Sequence, residues 1–146
     1  MNVAIVEKIA DMIKEISSLS KTVVESADSE KYAKSVESLN KEVDATYAQM
    51  RSLIVNSEKF SDDEKLERLE KLAKQEEESK RKCGEAIKGN RENVAKIALE
   101  VAKGLMTCGI SFVPGIVKSL KSTESKSKAL ESETLELLEE ATSCAN

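Results

Sequence analysis

The sequence predicts an all-α protein: one domain over residues 1–146, an antiparallel bundle of four or five helices with a long N-terminal helical hairpin and coiled-coil-like packing. Three observations carry this prediction. Apolar residues recur at alternating three- and four-residue steps through the first half of the chain. Glycine and proline number only five and one in 146 residues, too few for the turns of a sandwich or a doubly wound sheet. Charged residues make up 34 %, above the usual quarter, which leaves ample polar surface for the outward faces of helices. A chain of this length buries roughly two thirds of its unfolded surface, so it can hold a core without disulfide or metal staples.

The first helix, about 3–26, carries its seam at Ile5, Ile9, Met12, Ile16, Leu19 and Val23. Those steps of four and three gather all six on one stripe. Asp28 or Ser29 then offers a side-chain oxygen to the orphan N–H groups of a second helix, about 30–57. Its seam runs through Tyr32, Val36, Leu39, Val43, Thr46 or Tyr47, Met50 and Leu53. At 1.5 Å per residue each helix spans roughly 35–45 Å, and the short link between them makes the hairpin antiparallel.

Ser61-Asp62-Asp63-Glu64 reads as a capping box that opens a third helix, about 62–88, with acids at the positive end of its dipole. Leu66, Leu69, Leu72 and Ala73 form its seam. From Lys74 to Lys82 no apolar residue occurs, and that stretch reads as solvated surface. Gly89 followed by Asn90 favours a stop and a fresh start. The competing reading continues one helix to Cys108 at a cost of roughly 1 kcal/mol for each interior glycine.

A fourth helix, about 91–108, is apolar around most of its circumference, with Lys96, Glu100 and Lys103 on one narrow face. Such a helix belongs at the centre of a bundle, against a partner or against lipid. Pro114 and the glycines beside it break the chain after it. A last helix, about 114–141 and interrupted or frayed over 121–128, holds Leu130, Leu135, Leu137 and Leu138. Its closing acids oppose its own dipole, which a basic neighbour such as Lys80-Arg81-Lys82 would offset.

Composition excludes several chemistries. No histidine is present, so His-dependent triads and His-ligated zinc, haem or di-iron sites are ruled out. Two stretches imitate a phosphate loop, Gly84 to Arg91 and Gly104 to Ser111. Neither has lysine where the motif needs it and neither follows a strand, so both read as helix punctuation. The acid runs 62–64 and 76–78 lack the glycine-turn spacing of a calcium loop. With 23 basic against 27 acidic residues and four Phe and Tyr in all, the chain offers little to nucleic acid. The expectation is a protein that is no enzyme and takes no cofactor or metal.

Cys83, Cys108 and Cys144 are widely spaced, which suits reduced thiols. Cys108, in apolar sequence, reads as core. Cys83, next to Lys80, Arg81 and Lys82, is the candidate for a reactive thiol. The first residues lack a basic leader, and the longest uncharged run, Gly104 to Val117, is 14 residues. The expected compartment is the cytoplasm, with neither signal peptide nor membrane span.

These residues point to a helical interaction or scaffolding module, self-associating through its heptad seams or bound to a protein partner. The expected main seam is Ile5, Ile9, Met12, Ile16, Leu19, Val36, Leu39, Val43 and Met50. The alternative is a membrane-active protein, pore-forming or lipid-binding, that uses the apolar hairpin 94–120 with residues 104–117 as its tip. On either reading the contact residues are Leu105, Ile110, Phe112, Val113, Pro114, Ile116 and Val117.

Overall fold

A computed structural model describes residues 3–91 and 94–109, which form α-helices and no strand. The helices are α1 (Val3–Glu25), α2 (Ser29–Val55), α3 (Asp62–Ile87) and α4 (Ile97–Thr107), the last entered through one 3-10 turn, Val94–Lys96. They pack as a compact bundle in which α1 and α3 each lie against α2 and α4. α4 touches all three of the others. Ile97, Val101, Ala102 and Leu105 are fully buried there, as an all-round apolar helix requires.

Local chemistry sets the helix ends. Asp28 accepts from the backbone N–H groups of Glu30 and Lys31 at 2.8 and 3.1 Å, so the cap falls on the aspartate of the Asp28-Ser29 pair. Ser61 Oγ accepts from the Glu64 N–H at 3.2 Å and donates to the Glu64 carboxylate at 3.1 Å. The glutamate thus braces the cap side chain. α3 ends at Ile87, and Gly89 follows at φ +94° with its N–H on the Ala86 carbonyl, a left-handed closure suited to glycine.

Four expectations change. The buried arc of α1 is wider than the seam and shifted from it. Ile9, Ile16 and Val23 are buried, but so are Val6, Ala10, Ile13, Ser17 and Ser20, while Ile5, Met12 and Leu19 are only half-buried. α1 packs on two neighbours at once, and two contacts need more of its circumference than one stripe. In the second helix both Thr46 and Tyr47 are buried, the threonine satisfying its hydroxyl on the Glu42 carbonyl at 2.7 Å.

The stretch Lys74 to Lys82 is not solvated throughout, since Ser79 and Lys82 are buried. The fourth helix starts later than residue 91. The Arg91 guanidinium holds the Ser26 carbonyl and lies 4.5 Å over the Tyr32 ring, which pins that position to the α1–α2 turn. No helix of the described residues is long and apolar enough to cross a membrane.

Candidate functional site

Two features of the α2–α3 pair stand apart from ordinary core packing. The first is a polar layer inside the bundle, where α3 meets α2 and α4. The Tyr47 hydroxyl of α2 lies 2.8 Å from Ser79 Oγ of α3, with both side chains buried. Glu100 of α4 accepts from Gln75 and, at 3.4 Å, from the Lys82 ammonium, whose side chain is 9 % exposed. Lys82 also pairs with Glu78 at 3.0 Å, and Lys103 approaches Glu100 at 3.5 Å. Buried polar groups are tolerated when partnered, and each of these is. The layer therefore fixes how α4 sits on α3. Burial drives the Tyr47 phenol up, so it remains protonated.

The second feature is the outer face of the same helix pair. Leu66, Ala73, Lys80 and Ile87 follow one another at seven-residue steps along α3, hence on one line. Lys80 fixes where that line points: its ammonium reaches Asp44 of α2 at 2.9 Å and also holds Asn40. At one end of the line Ile87 is 68 % exposed and borders a groove of about 380 Å³ with Tyr32, Ala33, Val36, Glu37 and Asn40. At the other end Leu66 is 62 % exposed and Val55 54 %. The Lys65 ammonium on the Val55 carbonyl, at 3.0 Å, holds those two helix ends together. Between the ends, Arg51 of α2 grips Glu76 of α3 at 2.6 Å. The face is thus apolar at both ends and clasped by ion pairs in the middle.

Of the contact residues expected from sequence, Leu105 is fully buried in α4. Ile110, Phe112, Val113, Pro114, Ile116 and Val117 lie outside the described residues. Cys83 is a correction. It is buried on α3, and burial pushes its thiol up to about 11, outweighing the lowering influence of Lys80. Proximity to bases in the sequence did not put the sulfur among them. Cys108, as expected, is core, with its thiol pushed up to about 12 by burial.

The outer face was missed because Leu66 reads as a member of the α3 seam. Its signal was present in the line Leu66, Ala73, Ile87, which falls off the buried arc Leu72, Ser79, Cys83, Ala86. A wide groove between α1 and α2 is lined by Glu7, Asp11, Glu15 and Glu42 with Lys8 and Met12. Burial, then the Glu15 charge, raises the Glu42 carboxyl. No cluster of metal-ligating side chains occurs among the described residues. No protein-family model, curated protein or solved structure matches the chain.

Proposed function

We propose that the protein is a non-enzymatic helical interaction module whose working surface is the outer α2–α3 face and whose partner is a second copy of its own chain. A fifth helix over 114–141 and coiled-coil-like packing belong to the same reading. The observation that carries it is the exposure of Val55, Leu66 and Ile87, each more than half exposed, at the two ends of the α2–α3 pair. Single exposed apolar residues are normal, but here they stand at both ends of one face about 30 Å long, with the Arg51–Glu76 and Lys80–Asp44 ion pairs between them. Burying it against a like surface gains about 25 cal/mol for each Å² of apolar area.

Self-association through the heptad seams themselves is the weaker version, because Ile9, Ile16, Leu39, Val43 and Met50 are fully buried within the chain. A membrane-active hairpin over 94–120 would have to draw Val94, Ile97, Val101 and Leu105 out of the same core.

Light-scattering mass over a concentration series tests the proposal. The mass of the full chain is expected to rise above 16.0 kDa as concentration reaches hundreds of micromolar. Leu66→Asp and Ile87→Asp are expected to keep the helical circular dichroism and stay at the mass of one chain. One-chain mass at every concentration, or unchanged association in both variants, contradicts the proposal.

A further inference from the structure

The outer side of α3 carries a second seam. Leu66, Ala73, Lys80 and Ile87 lie on one line, and Glu70, Glu77 and Gly84 fall between them at alternating steps of four and three. With that spacing one helix pairs along another. All seven are exposed or half-buried, off the buried arc of Leu72, Ser79, Cys83 and Ala86. We infer that two copies of the chain pair antiparallel along this seam, about a two-fold axis at Glu77, so that Leu66 of each copy seats at the Ile87 end of the other. The inference rests on the reading of the outer α2–α3 face as a self-association surface, and it adds the orientation and register of the pair.

The seam is nearly palindromic about Glu77. Laid antiparallel on itself, it sets Leu66 against Ile87, Glu70 against Gly84, Ala73 against Lys80 and Glu77 against its own copy. Both long charged side chains, Glu70 and Lys80, thus meet a residue with little or no side chain and reach each other diagonally across the pair. Laid parallel, the same seam stacks Glu70, Glu77 and Lys80 each on its own kind, three like-charge layers in place of one. The rest of the helix favours the same choice. Over 62–78 it carries eight acids against four bases, and over 80–91 the chain carries five bases against one acid. Antiparallel pairing brings the acidic half of one copy onto the basic half of the other.

Gly84 gives independent support. It sits inside α3, where glycine is unfavourable, yet an added Cβ would meet nothing within 4 Å. No described residue of the chain uses the space that this glycine leaves. In the antiparallel pair the Glu70 side chain of the second copy lies over it. The ends of the face match as well, because the two-fold axis brings Val55 and Leu66 of each copy onto the groove that Ile87 forms with Tyr32, Ala33 and Val36. A face about 30 Å long and roughly 20 Å wide across two helices offers roughly 600 Å² from each copy. That is the low end of specific interfaces, in keeping with association at hundreds of micromolar.

Disulfide trapping in the full chain at several hundred micromolar reads the register. Cys144→Ser is the background, and Lys14→Cys, exposed on α1, is the control away from the face. A mixture of Leu66→Cys and Ile87→Cys chains should bridge 66 to 87 at least tenfold faster than either variant bridges to itself, and at least tenfold faster than the control. Bridging of like positions at an equal or greater rate overturns the inference, as does 66-to-87 bridging no faster than the control.

Gly84→Leu gives a second measurement. It should keep the helical circular dichroism and raise the concentration needed for self-association at least tenfold, and Gly84→Ala should raise it by a smaller factor. In a parallel pair Gly84 would face Gly84, and leucines there would strengthen association. An unchanged or lowered threshold overturns the inference. Light-scattering mass keeps the two proposals apart. One-chain mass at every concentration defeats the module reading and this register with it, whereas association that bridges like positions or ignores Gly84→Leu defeats the register alone.

Discussion

The hydroxyls of Tyr47 and Ser79 meet at 2.8 Å between α2 and α3, in an interior where neither side chain reaches water. A pair of this kind adds little net stability when made and costs more when broken, since the remaining hydroxyl keeps its desolvation penalty. Tyr47→Phe and Ser79→Ala are each expected to lower unfolding free energy by about 1 kcal/mol. The double variant should lose less than the two losses added together, with a coupling of roughly 0.5–1 kcal/mol. Urea unfolding of the four proteins measures it, and strict additivity would show that the hydroxyls do not interact.

Glu78 gives the fold an acid-sensitive element. Hydrogen bonds from Arg81, then Lys82, hold its carboxyl at about 2, below the ordinary 4.5. A carboxylate depressed in the folded state stabilises above its unfolded pKa, and that stability is lost as pH falls from about 4.5 toward 2. The side chain is 40 % exposed, so solvent and salt weaken the effect. Glu42, raised by burial and then by Glu15, contributes the opposite slope, being relieved on protonation. The urea midpoint should fall between pH 5 and pH 2.5, and Glu78→Gln should flatten that fall. An equally steep fall in the variant would assign the acid sensitivity to other groups.

The two buried thiols should be inert in the folded protein. Pushed up to about 11 and about 12 by burial, Cys83 and Cys108 hold almost no thiolate at pH 8. Peptide mapping after brief alkylation should find both unmodified in buffer and both modified in denaturant. Rapid labelling of Cys83 in buffer would restore the expectation drawn from its basic neighbours.

Much of the architecture was legible because helix chemistry is local. The seam steps marked α1 and α2, while Asp28, Ser61 and Gly89 marked their ends and breaks, and the all-round apolar character of 97–105 marked a helix with neighbours on every side. What escaped depends on how many helices each one meets. A single stripe describes a helix with one neighbour, so Val6, Ile13 and Ser20 of α1 were overlooked. Buried polar residues are invisible to an apolar pattern, and Ser79 and Lys82 became interior only because Tyr47 and Glu100 arrive from other helices. The outer face was illegible for the converse reason: Leu66 belongs to the seam by spacing, yet it is exposed where Leu72 is buried.

Two glycines, Gly84 within α3 and Gly109 just after α4, separate strain from propensity. Gly109 sits at φ +76°, and an added Cβ would meet Phe60 Cζ at 2.6 Å. Gly109→Ala is therefore expected to cost about 1–3 kcal/mol through backbone strain and displacement of the ring. Gly84 lies inside α3 with open space around its Cα, so Gly84→Ala should stabilise by about 0.5–1 kcal/mol. Thermal melts read both shifts, and a stable Gly109→Ala would mean that Phe60 does not hold the end of α4.

The location of the working surface is tested most directly by following backbone amide resonances of the full chain through a dilution series. Concentration-dependent shifts should map to the outer side of α2 and α3, around Ala33, Val55, Leu66, Ala73 and Ile87, and should spare the exposed positions of α1 at Glu7, Asp11 and Lys14. Shifts centred on α1, or a spectrum that does not change with concentration, would contradict it.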